Sequence, residues 1–375
     1  MSEDWGHIAL AIPTMGGGGG EKAASLLVRE WSRSGRRVDL VLMDASGPFM
    51  QSEWGSVRIH NLNCGPLRAL PALTRFIRSQ RPDVLVTFMP LANGLAGLVK
   101  TLAPKTTLFV GVEQNERSLA LGDTSTFKQR GFSPFLRLGY RNLDGLIAVS
   151  TSTRVRLIQE GICQNREPLV IGNPVGQGES FAPGHDPYRE PGEALGTRPA
   201  KLLAIGRLVH QKDFFNLLEA VSLVRDTREV ELTILGDGPK RRALEDKVRV
   251  LGLSECVQMP GFVSDPHRWL SACDLFVLPS RFEGFGNVVV ESLAAGTPVV
   301  ATDCGGPRDI LSSADFGLLV EKENHTALAA GILEALCKSW SPDRLRARSR
   351  DYGVEVIATR YLQAFDDFAS RRSNE

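Results

Sequence analysis

The chain has 375 residues, of which 42% are hydrophobic and 23% charged, with a formal net charge of +1. This length accommodates two domains, and the composition is typical of a globular protein rather than a disordered or fibrous one. The acidic first residues do not resemble a secretory signal, and the longest uncharged stretch, 84–99, is too short to span a membrane. Six scattered cysteines without metal-binding spacing favour a reduced, cytoplasmic location.

Basic and acidic residues are distributed unevenly along the chain. Residues 1–172 contain 20 Lys and Arg against 14 Asp and Glu, whereas the remainder contains 24 against 29. A basic half followed by an acidic half predicts that only the first half meets an anionic partner or surface. Nucleic acid is not an expected partner.

The first half alternates predicted strands with predicted helices. The predicted strands are 7–13, 38–43, 57–61, 83–88, 107–112, 146–150 and 168–171, with helices to about residue 34, at 67–79, at 91–102 and from 151. Repeated βα units predict a doubly wound, largely parallel sheet. We therefore predict an N-terminal Rossmann-like domain over 1–172, followed by a proline- and glycine-rich linker over 173–199.

Five consecutive glycines, Gly16 to Gly20, separate the first predicted strand from its helix. Such a backbone can lie against a phosphate or a substrate, although a plain flexible turn is an equal alternative. The dinucleotide fingerprint fails because Glu21 stands where its last glycine is required, and the phosphate-loop pattern fails because Glu21 precedes Lys22. An NAD or ATP enzyme is therefore disfavoured.

The second half repeats the α/β pattern, which predicts another Rossmann-like domain over 200–355. The predicted strands are 201–206, 231–235, 256–260, 274–279 and 297–302, with helices at 287–295, 326–338, 343–350 and 356–368. Arg207 and Lys212 follow the first of these strands. Two cations at the carboxyl end of a strand suit a diphosphate, although surface charges are the commoner explanation.

Two glutamates frame the start of the predicted helix 287–295. Glu283 lies in the loop after the strand 274–279, and Glu291 lies on the second turn of the helix. Ligands bind in this crevice of open α/β sheets, and the free N–H groups of a helix start attract anions. An acid on each side of an anion site suits the hydroxyls, ribose and diphosphate of a sugar nucleotide. The alternative is a helix cap and a solvated face.

The segment from Leu278 to Asp309 resembles the E-x7-E signature of the family 4 glycosyltransferases, a retaining family with the two-domain GT-B fold. Glu283 and Glu291 match its two acids, and Gly284-Phe285-Gly286 and Gly305-Gly306-Pro307 match its flanking pattern. The resemblance implies two Rossmann-like domains facing a central cleft, with the last helix, 356–375, packing back on the first domain. It also implies a nucleotide-sugar substrate, with UDP favoured.

The resemblance further implies a role for each candidate residue. Glu283, Arg207 and Lys212 would be catalytic, with the two cations neutralising the donor diphosphate. Gln114 and Asn115 would contact the sugar or the acceptor, and Gln114 stands where many relatives carry a histidine. The implied donor-binding residues are Gly17, Gly18, Arg207, Lys212, Phe262, Val263, Glu283, Phe285, Gly286, Asn287, Val288 and Glu291.

No D-x-D pair occurs in the sequence, so we expect neither a metal nor another cofactor. The expected reaction is transfer of a hexose or N-acetylhexosamine from a nucleotide sugar to a glycan or lipid-linked acceptor, in polysaccharide, lipopolysaccharide or lipid-linked oligosaccharide assembly. A sugar-nucleotide epimerase of the same shape and a catalytically silent binding protein remain alternatives.

Two basic stretches in the first half suggest peripheral contact with the inner face of an anionic membrane. Their alternative interpretation is a pair of helices that cover the sheet with solvated arginines. The first stretch comprises Arg68, Arg75, Arg78 and Arg81, and the second comprises Lys128, Arg130, Arg137 and Arg141.

Overall fold

The computed structural model describes residues 5–51, 54–114, 137–163, 167–176, 198–263 and 265–373. The chain forms two compact units. The first contains residues up to Gly176 together with those from Tyr352 onward, and the second runs from Gln177 to Asp351. Most of the predicted linker, 173–199, lies outside the described residues.

The first unit is built on a parallel sheet in the order β3-β2-β1-β4-β5-β6-β7. Its strands are β1 (His7–Ile12), β2 (Arg37–Leu42), β3 (Arg58–Asn61), β4 (Val84–Phe88), β5 (Leu108–Glu113), β6 (Gly145–Ala148) and β7 (Leu169–Val170). Its helices are α1 (Gly19–Arg33), α2 (Pro66–Gln80), α3 (Pro90–Lys100), α4 (which includes 137–142), α5 (Thr151–Gln159) and the C-terminal α13 (Val354–Ser373).

The second unit repeats this architecture with the strand order β10-β9-β8-β11-β12-β13. Its strands are β8 (Ala200–Ile205), β9 (Val230–Leu235), β10 (Val257–Gly261), β11 (Leu275–Leu278), β12 (Val299–Thr302) and β13 (Leu318–Val320). Its helices are α6 (Phe214–Arg225), α7 (Arg241–Val250), α8 (His267–Ala272), α9 (Asn287–Ala295), α10 (Pro307–Ile310), α11 (His325–Cys337) and α12 (Pro342–Arg350).

Both sheets are buried because helices cover them, so their central strands are almost wholly apolar. All residues of β1 and β4 are buried, as are all residues of β11 and β12. The strand order reverses between β1 and β4 in the first unit and between β8 and β11 in the second. The loops at the carboxyl ends of these four strands therefore border the crevices where ligands bind in such sheets. The predicted doubly wound parallel sheets are confirmed.

The C-terminal helix α13 packs onto the first unit through aromatic side chains. Trp31 of α1 lies 5.9 Å from Tyr361 between ring centroids, and Trp5 lies 5.8 Å from Phe365. The Trp5 indole also donates a 2.9 Å hydrogen bond to Asp366. Because these rings are buried, the helix completes the core of this unit rather than decorating its surface.

Among the described residues, no helix combines the length and apolar character needed to cross a bilayer.

Candidate functional site

The loop after β11 is held in place by the loop after β12. The backbone N–H of Glu283 donates to the carbonyl of Cys304 at 2.9 Å, and its carbonyl accepts from Gly306 at 3.0 Å. A β-carbon on Gly306 would lie 2.4 Å from the α-carbon of Phe285, so only glycine permits this approach. The Gly-Gly pair predicted to flank the site therefore fixes the position of the Glu283 backbone.

The Glu283 carboxylate is buried, with 7% of its residue surface exposed. Its Oε1 accepts hydrogen bonds from Lys212 Nζ at 2.5 Å and from Ser280 Oγ at 2.7 Å. Its Oε2 accepts no hydrogen bond from any residue that the structure describes. This oxygen, beside one that accepts two hydrogen bonds, is a candidate position for a ligand hydroxyl.

Lys212 reaches Glu283 by crossing the glycine that follows β8. A β-carbon on Gly206 would lie 3.1–3.2 Å from the γ-, δ- and ε-carbons of Lys212, so the lysine stem rests on this backbone. An ammonium group has three donors, and Glu283 is the one partner of Lys212 within the described residues. The remaining donors are available to a second anion.

The segment that carries Lys212 is tied to the Glu283 loop by further contacts. Gln211 donates from Nε2 to the carbonyl of Phe282 at 2.9 Å, and its own carbonyl accepts from the Arg281 N–H at 2.8 Å. Arg281 Nε lies 3.0 Å from Asp213 Oδ2. Burial raises the pKa of Asp213, and the Arg281 charge opposes this rise. These contacts hold the loops after β8 and β11 together.

Helix α9 begins at the same loop. Gly286 occupies the position before its first residue with φ 96°, a conformation that favours glycine, and Asn287 opens the first turn. No side chain of the described residues caps this start. Phe285 and Glu291 are buried, whereas Asn287 and Val288 are half-buried. The predicted positions of both acids, one in the loop and one on the second turn, agree with the structure.

The other donor candidates in the second unit are more exposed. Arg207 follows β8 directly, and its side chain has no ion pair or hydrogen bond with the described residues. Phe262, just after β10, has 78% of its surface exposed, and Val263 is half-buried. Lys212 and Glu283, predicted for different parts of the donor, form a single ion pair. Arg207 does not join that pair.

In the first unit, Gly17 and Gly18 are exposed at the start of α1, and Gly17 has φ 93°. Gln114 is buried at the carboxyl end of β5 and pairs with Asn173 through two 2.9 Å hydrogen bonds. Asn115 lies outside the described residues. Their roles in binding a substrate remain predictions.

Sequence reasoning missed Ser280 and Asn173, which contact candidate residues directly. Ser280 was detectable as a polar residue after an apolar strand, three positions before Glu283. The Asn173 contact spans 59 residues of sequence, and no local pattern indicates it.

The first basic stretch has the geometry of a helix that covers the sheet. Phe76 and Ile77 on α2 are buried, whereas Arg68, Arg75 and Arg78 are exposed. In the second stretch, Lys128 and Arg130 lie outside the described residues. Tyr140, which lies between Arg137 and Arg141 in the sequence, is buried. Most apolar residues described in these stretches therefore face the core, whereas Leu138, between Arg137 and Arg141, is exposed.

Two family models match the chain. Residues 18–174 match a glycosyl transferase 4-like domain, and residues 190–353 match glycosyl transferases group 1. The lipopolysaccharide core biosynthesis glycosyltransferase LpsE of Rhizobium meliloti is 31% identical over 76% of each chain. A Campylobacter jejuni enzyme that adds N-acetylgalactosamine to a diphospho-undecaprenol-linked sugar is 25% identical over 90% of this chain and 91% of its own.

Solved structures give the same fold. The lipopolysaccharide outer core galactosyltransferase WaaB matches with a TM-score of 0.75 and 19% identity, over 95% of this chain and 98% of its own. Anabaena HepE in complex with UDP matches with a TM-score of 0.77 and 19% identity, over 96% of this chain and all of its own. The chain therefore belongs to the family 4 glycosyltransferases and has the GT-B fold.

Proposed function

We propose that this glycosyltransferase transfers a hexose or N-acetylhexosamine from a UDP-sugar, with retention of anomeric configuration. The carrying observation is the Glu283 carboxylate, whose Oε1 is held by Lys212 and Ser280 while its Oε2 has no partner among the described residues. In this proposal Oε2 accepts a hydrogen bond from a hydroxyl of the donor sugar.

The cations supply the charge that glycosyl transfer requires at the leaving group. Breaking the sugar–phosphate bond builds negative charge on the diphosphate, and fixed positive groups lower that barrier. Lys212 retains donors beyond its bond to Glu283, and Arg207 is exposed at the end of the neighbouring strand β8. The start of α9 adds N–H groups for the same anion. Glu291, buried on that helix, would accept hydrogen bonds from the ribose hydroxyls.

The relatives support the nucleotide and the acceptor class. HepE was solved with UDP and with UDP-glucose, and LpsE acts in lipopolysaccharide core biosynthesis. The Campylobacter enzyme acts on a sugar carried by diphospho-undecaprenol. We propose a glycan or lipid-linked sugar acceptor of this kind, in the assembly of a surface glycan.

One experiment tests the donor, the metal and the stereochemistry together. The protein is incubated with UDP-, GDP- and ADP-sugars and lipid-linked acceptors, with and without EDTA, and nucleotide release and product anomer are measured. We expect release from a UDP-sugar, no loss in EDTA, and a product that keeps the donor configuration. An inverted product, or full loss in EDTA restored by Mg²⁺ or Mn²⁺, would contradict the proposed site chemistry. Epimer or free UDP formed without acceptor would indicate an epimerase.

We also propose that the enzyme is cytoplasmic and reaches its acceptor as a peripheral protein on the inner face of the membrane. The exposed arginines of α2 carry this proposal, because each cation near an anionic surface contributes about 1 kcal/mol. Flotation with anionic liposomes should fall with salt and with Arg68→Gln/Arg75→Gln/Arg78→Gln. The control Arg344→Gln/Arg350→Gln, which removes two exposed charges from α12, should float like wild type. No flotation with anionic vesicles at low salt would favour a soluble acceptor.

A further inference from the structure

Two buried carboxamides face each other in the first unit. Gln114 Nε2 donates to Asn173 Oδ1 at 2.9 Å, and Asn173 Nδ2 donates to Gln114 Oε1 at 2.9 Å. Only 8% of Gln114 and 3% of Asn173 is exposed. Gln114 follows β5 and Asn173 lies just beyond β7, so the pair joins the ends of two strands of one sheet.

A reciprocal pair restricts each amide more than a single hydrogen bond does. Rotating either carboxamide by half a turn exchanges its oxygen and nitrogen, which would set donor against donor and acceptor against acceptor. Neither amide can therefore turn without the other, so Asn173 restricts the orientation of the Gln114 amide. A carboxamide has two N–H donors and two acceptor lone pairs, and this pair uses one of each. The second N–H of Gln114 has no partner among the described residues.

The Gln114 amide lies at the edge of the sheet where ligands bind. A β-carbon on Gly20, at the end of the glycine-rich loop, would lie 3.2 Å from Gln114 Cγ and 2.8 Å from Met89 Cε. Met89, between β4 and α3, has φ 79° and ψ 149°, a backbone conformation rare for residues other than glycine. Such strained residues cluster at functional sites. Loops after β1, β4 and β5 thus converge on Gln114, at the point where the strand order reverses.

The residue before Gln114 anchors the end of β5. Glu113 is fully buried and accepts a 2.6 Å hydrogen bond from the Tyr140 hydroxyl, which in turn accepts one from Asn93 at 3.1 Å. Burial and the nearby Glu113 charge raise the pKa of Tyr140, so it remains a neutral donor. With the backbone fixed by this network, the remaining freedom of Gln114 is in its side chain, which Asn173 restricts.

We propose that Asn173 is a positioning residue, which orients the Gln114 amide so that its second N–H donates to a hydroxyl of the bound sugar. This inference rests on the proposed function, because it requires a sugar substrate. Asn173 itself uses its amide on Gln114 and acts on the sugar through that residue. Neither its contact nor its role follows from the E-x7-E signature, which lies in the other unit.

A double-mutant cycle tests the coupling. Gln114→Ala and Asn173→Ala should each lower kcat/KM for glycosyl transfer about tenfold or more, the scale for losing one buried hydrogen bond. The double variant should be no worse than Gln114→Ala alone, because Asn173 acts through Gln114. The affinity for free UDP should stay within about twofold in all three. Losses that multiply in the double variant would overturn the proposal.

The Asn173→Asp variant tests whether Asn173 orients the Gln114 amide or only fills space beside it. Aspartate keeps the shape of asparagine but has no N–H for Gln114 Oε1, so we expect a loss like that of Asn173→Ala. Wild-type kcat/KM in Asn173→Asp would overturn the proposal. The matched control Gln159→Ala, at the end of α5, should retain wild-type activity, and the folding of each variant is checked by its Tm.

A second readout does not depend on turnover. In protein labelled with ¹⁵N at glutamine side chains, Gln114→Ala assigns the Gln114 amide signal, which should shift in Asn173→Asp and broaden when a sugar substrate, either the acceptor or the UDP-sugar, is added to wild type. An amide signal insensitive to Asn173 would overturn the positioning role even in an active enzyme. If wild-type protein transfers sugar from no donor, the proposed function fails, and the sugar-positioning role fails with it.

Discussion

Two buried carboxylates, Asp39 in the first unit and Glu283 in the second, differ in how many of their oxygens have protein partners. Asp39 is fully buried on β2 and contacts three basic side chains. Its Oδ2 lies 2.6 Å from His7 and its Oδ1 lies 2.8 Å from Arg58 and 3.1 Å from His60. Glu283 is almost as buried, but both of its described partners contact the same oxygen.

The two carboxylates differ in whether both of their oxygens have partners among the described residues. Both oxygens of Asp39 have protein partners, which is the normal outcome for a buried charge that serves the fold. Glu283 keeps Oε2 without a partner among the described residues, and it lies in the loop beyond the carboxyl end of β11. Burial and pairing alone therefore do not mark a functional acid. The oxygen of Glu283 without a described partner, at the ligand-binding edge of the sheet, is the basis of its proposed role.

The largest expected loss of kcat comes from removing either of the two candidate diphosphate-binding cations, Lys212 and Arg207. Lys212→Met and Arg207→Ala should each lower kcat by roughly 10²-fold, the scale for losing one preorganised charge contact in the transition state. Methionine keeps an apolar side chain over Gly206, so a lower kcat in Lys212→Met reports the loss of the positive charge. Arg350→Ala on the exposed end of α12 is the control. Near wild-type kcat in both site variants would place the diphosphate elsewhere.

Removing Glu291 should weaken the affinity for UDP, which separates its role from that proposed for Glu283. Glu291→Ala should weaken the affinity for free UDP about tenfold or more, because hydrogen bonds from the ribose hydroxyls to a charged group are lost. Isothermal titration calorimetry with UDP measures it, and Ser292→Ala on the same helix is the control. Unchanged UDP affinity in Glu291→Ala would remove this acid from the nucleotide site.

Replacing Asp39 should lower the free energy of unfolding and leave kcat unchanged. Burial raises its pKa, but the hydrogen bonds from His7 and His60 and the charge of Arg58 outweigh this and lower it from 3.8 to about 2. Because the folded pKa is the lower one, the carboxylate stabilises the fold above pH 4, by about 2 kcal/mol. That contribution is lost as pH falls from 3.8 towards 2.

Urea unfolding of wild type and Asp39→Asn measures this contribution. Asp39→Asn should be destabilised at pH 6, the difference should shrink as pH falls towards 2, and kcat at a temperature where both are folded should match. A fall in kcat of the folded variant would show that this cluster also serves the reaction and would break the contrast with Glu283.

Much of the fold follows from local patterns, because buried parallel strands are continuous apolar runs. The sequence indicates β11, α9 and β12 within two residues of their observed bounds. It does not indicate β13, which has three half-buried residues, or the six-residue α8, because neither is long enough to show a period.

The candidate site was predictable as a set of residues but not as a set of contacts. Glu283 and Lys212 each stand out by position, but their ion pair joins loops 71 residues apart and depends on Gly206 beneath the lysine stem. The Gln114–Asn173 pair likewise depends on which strands lie side by side. Short-range periodicity carries no information on such contacts.

The Glu283→Gln variant tests the central claim most directly. Glutamine keeps the size of the side chain but replaces a carboxylate oxygen with an amide group, so the contact to the sugar hydroxyl changes while the nucleotide contacts remain. Turnover of the UDP-sugar and the Kd for free UDP are measured on the same preparation. We predict a fall in kcat of roughly 10²-fold with UDP affinity within about twofold of wild type. Unchanged turnover, or a loss confined to UDP affinity, would contradict the assignment of Glu283 to the sugar.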